Sequence, residues 1–368
     1  DKGKDADGDG LSDAYELAKS KNNPKDADSD GDGLLDGEEV FQLADRLITD
    51  ANDADSDDDG LLDGAEGGIS SDGGPAMKNG KPSPLQADSD GDGLPDGLEL
   101  GLASPQISAK DPDATAGTAF LADSDPTTKT NPSKSDSDDD GLPDGIEDLN
   151  KNGKWDATPS PENPVGETDP KNPDSDEDGM DDGWEVSYSG SKGVGKPLNP
   201  LDPSDAGLDP DGDGLKNSAE YEHQWPGADG VLKRDSTHPR KADSDDDGLI
   251  DGVEVGASYG GQPASVSGSN PNAADTDGDG IFDGLEDKNH NGFVDGPGAK
   301  GGTYGETSPK NADSDGDGLP DGVEDKNHDG VWQKSDGETS PTLADSDVDG
   351  LSDGAEIATY KSDPNAVD

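Results

Sequence analysis

The chain has 368 residues and a formal net charge of −62; 25% of its residues are hydrophobic and 4% aromatic, with 54 glycines, 28 prolines and no cysteine. That is too little apolar matter to offset the ordering entropy of an ordinary globule, and no disulfide can replace it. No apolar run approaches the roughly 18 residues of a membrane span, and an acidic surface opposed by no basic patch excludes nucleic acid as a partner.

The predicted elements are loops on one pattern, Asp-x-Asp-x-Asp-Gly-apolar-x-Asp-x-x-Glu. The first is Asp5, Asp7, Asp9, Asp13 and Glu16, with a short helix expected after Leu11. The second, Asp28, Asp30, Asp32, Asp36 and Glu39, leads into a predicted helix over Leu34–Thr49, where Val40, Leu43, Leu47 and Ile48 recur at helical spacing. The third is Asp55, Asp57, Asp59, Asp63 and Glu66, followed by an expected surface loop, Gly67–Gly80. The fourth is Asp88, Asp90, Asp92, Asp96 and Glu99; the long gap after it holds Asp123-x-Asp125, a decayed repeat. The fifth, Asp136, Asp138, Asp140, Asp144 and Glu147, runs directly into a short loop, Asp148, Asn150 and Asn152 with Asp156. The sixth is Asp174, Asp176, Asp178, Asp182 and Glu185, and the seventh Asp209, Asp211, Asp213, Asn217 and Glu220. The eighth, Asp243, Asp245, Asp247, Asp251 and Glu254, precedes an expected surface loop at Ser258–Ser269. The ninth, Asp275, Asp277, Asp279, Asp283 and Glu286, is followed by a short loop of Asp287, Asn289 and Asn291 with Asp295. The tenth, Asp313, Asp315, Asp317, Asp321 and Glu324, is followed by another, Asp325, Asn327 and Asp329; the eleventh is Asp345, Asp347, Asp349, Asp353 and Glu356. Asp368, four residues after Pro364, reads as the opening of a twelfth loop in a longer natural chain. Glycine at position 10, as in Gly97, Gly145, Gly252 and Gly322, limits the helices leaving most loops to one or two turns.

A calcium loop takes side-chain oxygens at positions 1, 3 and 5, a carbonyl at 7, a ligand or bridging water at 9 and a bidentate Glu at 12, with Gly at 6 for the turn. All eleven loops meet that template, and of their 55 acidic ligand positions only Asn217 departs, so 54 of the 89 Asp and Glu stand there. At least eleven Ca²⁺ ions are expected, as in a repeat array. Affinities on the order of 10⁻⁴ to 10⁻³ M would leave the sites empty in a resting cytosol. The chain should be flexible without calcium and stiff with it. Successive loops start 23 to 48 residues apart, and proline stands four residues before the first Asp in eight of them. Fixed loops with variable spacers suit a stack in which each unit meets its neighbours. Position 7 is Leu, Ile or Met throughout, a thin seam rather than a core; Trp155, Phe293 and Trp332 should cover neighbouring seams. The short loops lack Glu at position 12 and read either as second calcium sites or as Asx-rich turns.

The phrase Asp88-Ser-Asp-Gly-Asp-Gly-Leu-Pro-Asp-Gly-Leu-Glu99, with the lead-in Thr168-Asp-Pro-Lys-Asn-Pro-Asp174, resembles the bacterial thrombospondin type 3 repeat over nearly the whole chain. The resemblance implies an extracellular protein with little regular secondary structure: a linear calcium-loop repeat array with short helices, elongated and metal-stabilised, often with two ions per repeat. Animal members carry disulfides between repeats; this chain has none. Residues 1–368 are accordingly read as tandem calcium-binding repeats.

The leading functional expectation is a calcium-rigidified stalk, spacer or filament in the extracellular space or at a bacterial cell surface. Its partners would be calcium and either copies of itself or other matrix proteins. One alternative is a calcium reservoir or mineral-nucleating matrix protein. Another is an adhesion or dockerin-like module, with the predicted helix around Phe41 and Leu47 as the contact patch. Enzymatic activity is not expected, since His223, His238, His290 and His328 join no nucleophile or acid–base grouping.

Overall fold

The computed structural model describes residues 3–41, 48–66, 81–112, 119–158, 166–190, 196–226, 230–256, 268–295 and 305–367. The chain divides into two compact units, Asp1–Glu177 with Asp181–Val186 and Pro200–Asp202, and Asp178–Met180 with Ser187–Asn199 and Pro203–Asp368. In each unit the loops fold in one way.

A backbone hydrogen bond closes every loop. The position-9 N–H donates to the carbonyl of the residue before position 1: Asp13 to Lys4 at 2.8 Å, Asp96 to Ala87 at 2.9 Å, Asp353 to Ala344 at 3.0 Å, and likewise in the other eight. Such a ring needs left-handed residues inside it. Glycine at position 6 takes φ of 97–106° in all eleven loops, and position 4 is also left-handed. Six loops place Gly there; the others use Asp58, Asp139, Glu177, Asp246 and Val348. Asp tolerates that region, but a β-branched residue is strained in it.

Position 9 opens the exit helix. It is one turn long at Asp96–Glu99, Asp144–Glu147, Asp251–Glu254, Asp283–Glu286 and Asp321–Glu324, as the glycines lead one to expect. After Leu11 a longer helix forms: Asp13–Tyr15 widens into a turn over Glu16–Ser20 and stops at left-handed Lys21. Asp353–Ala355 and Glu356–Tyr360 repeat that arrangement, stopping at Lys361.

The predicted helix over Leu34–Thr49 is shorter than expected. It spans Asp36–Val40, and Phe41 turns extended at φ −121°, ψ 117° to place its ring 5.1 Å from that of Tyr15. The Thr49 hydroxyl bonds Glu39 at 2.9 Å. Leu43 and Leu47 lie outside the described residues, as do Asp368 and most of the expected surface loops after Glu66 and Gly256. A two-stranded antiparallel hairpin, Gln224–Pro226 with Leu232–Arg234, went unforeseen; the Arg234 guanidinium sits 4.0 Å over the Tyr221 ring.

Repeats meet through glycine at position 10. The N–H of Gly64 donates to Asp32 at 2.9 Å, Gly97 to Asp59 at 3.0 Å, Gly145 to Asp92 at 3.2 Å and Gly183 to Asp140 at 3.0 Å. In the second unit Gly252, Gly284, Gly322 and Gly354 donate in the same way to Asp213, Asp247, Asp279 and Asp317. The acceptor is always the position-5 carboxylate of the preceding loop. A Cβ at any of these glycines would overlap the backbone carbonyl oxygen of that same Asp. Position 10 is therefore a point of close backbone approach as well as a helix breaker.

The longest spacing has its own use. Gln106 donates its N–H to Gly60 (2.8 Å) and accepts from Leu62 (3.2 Å); the Ser108 hydroxyl bonds the Asp30 carbonyl, and the Lys110 ammonium bonds Asp26 at 2.7 Å. Residues 106–110 thus return from the fourth repeat to the third and second. The position-7 side chains Leu11, Leu61, Leu94, Leu142, Met180, Leu215, Leu249 and Ile281 are buried, while Leu34, Leu319 and Leu351 are half-buried.

Gly97→Ala and Gly252→Ala should each destabilise the calcium-loaded chain by about 1–3 kcal/mol through overpacking. Gly207→Ala, where an added Cβ meets nothing within 4 Å, should be neutral. Denaturant melts in calcium would measure both; equal effects at Gly97 and Gly207 would refute the docking role. Val348, at φ 63° and 80% exposed, makes the reverse case. Val348→Asn should stabilise the last loop by roughly 1 kcal/mol by relieving left-handed strain, read as slower amide exchange around Asp345–Glu356.

Candidate metal centres

The fourth loop illustrates the local chemistry. Asp88 accepts the N–H groups of Gly91 (2.7 Å) and Gly93 (3.0 Å), one on each oxygen. Asp90 accepts from Asp92 N–H at 3.3 Å through Oδ1, and Asp92 Oδ1 accepts from Leu94 at 2.7 Å. Asp96 receives both the N–H (2.8 Å) and the hydroxyl (2.6 Å) of Ser89. Glu99 Oε1 accepts from the Thr130 hydroxyl at 2.9 Å.

Serine or threonine at position 2 recurs in this role. Ser29, Ser56, Ser137, Ser244, Thr276 and Ser346 each hold the position-9 Asp of their own loop with N–H and hydroxyl together. A hydroxyl six residues before the next loop likewise orients the position-12 Glu, Thr49 on Glu39 and Ser269 on Glu254, and Ser362 holds Glu356 in the same way. Neither hydroxyl had a role in the sequence reading, although the regular Ser/Thr was there to be seen. These hydroxyls are outer-shell donors that fix carboxylate orientation.

The carboxylates converge in two kinds of cluster, each with ligand oxygens within 4.8 Å of one another. The first lies inside a loop, at positions 1, 3 and 5: Asp5, Asp7 and Asp9, Asp28, Asp30 and Asp32, and Asp55, Asp57 and Asp59. The second crosses between repeats. Asp9 and Glu16 meet Asp36, and Asp32 and Glu39 meet Asp63. Positions 5 and 12 of one loop are thus brought together with position 9 of the next.

The donor set fits a hard divalent cation. At position 3 the second oxygen is buried without a partner in Asp30, Asp57, Asp90, Asp138, Asp211, Asp245, Asp277, Asp315 and Asp347. Both carboxylate oxygens of Glu16 and Glu66 are in the same condition, at 0% and 5% exposure. Buried carboxylate oxygens without donors are costly unless a cation takes them, and all-oxygen sets of this size suit calcium.

The short loops are organised differently. Asp148 Oδ2 accepts from Gly153 (2.8 Å), Asp287 from Gly292 (2.5 Å) and Asp325 from Gly330 (2.7 Å). Asp156 accepts from the side-chain amide of Asn152 (3.1 Å), and Asp295 from those of Asn289 (2.9 Å) and Asn291 (3.0 Å). His290 and His328 are exposed, with Nε2 3.1 and 2.8 Å from the Gly284 and Gly322 carbonyls. Trp155 and Trp332 donate their indole N–H to Glu167 (2.7 Å) and Glu338 (3.1 Å) carbonyls. In the decayed repeat, buried Asp123 accepts from Asp125 N–H at 2.6 Å and keeps its other oxygen unpartnered.

This arrangement defines a tandem array of acidic, cation-binding loops. Eight of its segments match the family model described as the bacterial TSP3 repeat: residues 5–27, 28–42, 88–100, 174–191, 209–223, 275–290, 313–328 and 345–366. The chain belongs to the bacterial TSP3 repeat family and is a calcium-binding repeat protein. The loops from Asp55, Asp136 and Asp243 lie outside those segments, and all three carry Asp at position 4. No curated protein and no solved structure matches the chain. Among the described residues no helix is long and apolar enough to cross a membrane.

Burial, reinforced by neighbouring carboxylates, pushes Glu66 up to about 11, Glu99 to about 10, and Glu39 and Glu254 to about 9. Groups raised in the fold stabilise it when protonated. That contribution is complete below their unfolded value near 4.5 and is lost as pH rises through 9 to 11. In chelator the chain should therefore gain order when taken from pH 9 to pH 5. In calcium the sign reverses, because protons compete with the ion. Near-UV circular dichroism at both pH values, with and without calcium, checks this; a chelated chain equally ordered at both would contradict it.

Proposed function

We propose that the chain is an extracellular calcium-binding structural protein, one tandem array over residues 1–368 that calcium stiffens into a stalk or spacer. The observation that carries this reading is the cluster shared between repeats. Asp32 and Glu39 come from one repeat and Asp63 from the next, within 4.8 Å. An ion there would be a crosslink, with neighbouring repeats as its two jaws. The Gly64 N–H bond to Asp32 (2.9 Å) lies at the same junction, so ion binding and repeat docking would be one event.

The weak affinity expected of such loops, on the order of 10⁻⁴ to 10⁻³ M, matches extracellular calcium. The same crosslinks offer a chain without disulfides a substitute for them. The family is a structural calcium-binding repeat, in agreement with a mechanical role.

Small-angle scattering in millimolar calcium and in chelator tests the whole reading: the radius of gyration should change and the chelated profile should become that of a flexible chain. An unchanged profile would end the stalk hypothesis, and calcium uptake that never saturates would favour a mineral-nucleating reservoir. A double-mutant cycle tests the crosslink. Glu39→Gln and Asp63→Asn should each remove the same ion, so the double variant should lose hardly more binding than either single. Additive losses would show that the two carboxylates serve separate ions.

A further inference from the structure

Three times the chain writes Gly-Glu-Thr-Ser/Asp-Pro: Gly166–Pro170, Gly305–Pro309 and Gly337–Pro341. Each copy follows one of the short loops that lack Glu at position 12. Its glutamates are buried as deeply as those of the full loops: Glu167 at 2%, Glu306 at 3% and Glu338 at 0% exposure. Each turns Oε2 onto the N–H of the short loop's position 9: Asp156 at 3.0 Å, Asp295 at 2.9 Å and Gln333 at 2.9 Å. The carboxylate is thus seated on its loop from outside, nineteen residues after Asp148 and Asp287 and thirteen after Asp325.

The other oxygen separates the three loops. In the first two, Oε1 accepts the backbone N–H and side-chain amide of position 3, Asn150 or Asn289, at 3.2 and 2.8 Å in both. In the third, Oε1 of Glu338 has no donor, and neither has Oδ1 of Asp325, itself 1% exposed. Position 5 here is Asp329, where the other two loops have Asn152 and Asn291. Asn327 and Asp329 lie on the exposed side. The Lys326 ammonium, which could have served as counter-charge, is taken by the Gly337 carbonyl. Two buried carboxylate oxygens without proton donors call for a cation.

We propose that Asp325, Asn327, Asp329 and Glu338 form a further calcium site, with Glu338 as a ligand delivered from outside the loop. The site is half open, so water fills the remaining positions, as hard cations of this size allow. It rests on the calcium reading of the full loops but adds a ligand that the twelve-residue template does not contain. The related glutamates Glu167 and Glu306 orient an Asn instead, because the amide has already claimed the oxygen that Glu338 keeps free.

Native mass spectrometry of the full chain in millimolar calcium counts the ions directly. Glu338→Gln should carry one calcium fewer than wild type, whereas Glu167→Gln should keep the wild-type count. Should Glu338→Gln fail to fold, Asp329→Asn supplies the same reading: it gives an exposed position the residue that the other two short loops already use, and should weaken one calorimetric calcium step roughly tenfold by lowering ligand charge. Equal counts in Glu338→Gln and wild type, or an unaltered titration in Asp329→Asn, would overturn the site and leave half-buried Lys288, which feels the charges of Glu306, Asp325 and Asp329, as the counter-charge. A wild-type chain that binds no calcium at all would instead overturn the reading of the full loops.

Discussion

Carboxylates facing one another across a repeat boundary are the constraint on which the rest of the fold depends. Among the described residues more Asp and Glu side chains are buried than apolar ones, an inversion of ordinary protein interiors, where such groups are almost never fully buried unless paired. Basic side chains cannot pair them: 27 Lys and Arg stand against 89 acids, and Lys4, Lys110, Lys134, Lys154 and Lys241 make exposed or half-exposed surface pairs, which contribute little. The carboxylates of Asp32, Glu39 and Asp63 repel one another until something divalent stands between them, and at that point the largest destabilising interaction becomes the largest stabilising one.

The backbone is shaped to bring those groups together. Closing each ring through the position-9 N–H fixes where Asp63 or Asp96 points, and the Ser56 or Ser89 hydroxyl then holds its carboxylate. Glycine two residues into the exit helix lets that helix lie directly on the preceding loop. The one-turn helices follow from this demand. After the second, fourth and eighth loops Thr49, Thr130 and Ser269 return to the glutamate at the end of the short helix.

Much of this was legible because calcium coordination is periodic. The spacing of Asp5, Asp7, Asp9 and Glu16 specifies a loop without reference to anything distant, and glycine at positions 6 and 10 fixes turn and helix length locally. What escaped had long-range causes. The template assigns position 9 to its own loop, whereas the structure gathers Asp36 with Asp9 and Glu16 and Asp63 with Asp32 and Glu39; only packing between repeats reveals that. The apolar periodicity from Val40 to Ile48 suggested a long helix, but the contact of Phe41 with Tyr15 and the return of Thr49 prevail over helical propensity. Gln106, Ser108 and Lys110 looked like spacer, since nothing in their sequence points to Gly60, Asp30 and Asp26.

Loop starts 23 to 48 residues apart can be tolerated because the loop-to-loop glycine contacts do not depend on spacer length. Loop closure cost grows only slowly with length, and the glycine contact between loops is made by loop residues alone, as Gly97 on Asp59 and Gly145 on Asp92 show across very different separations. A spacer is then free to acquire a second use. The one after the fourth loop became a strap over earlier repeats, and those after the fifth, ninth and tenth became short loops closed by Glu167, Glu306 and Glu338. In a chain without a core, insertions that bring their own hydrogen bonds to neighbouring loops add order where an ordinary domain would have added only flexible surface.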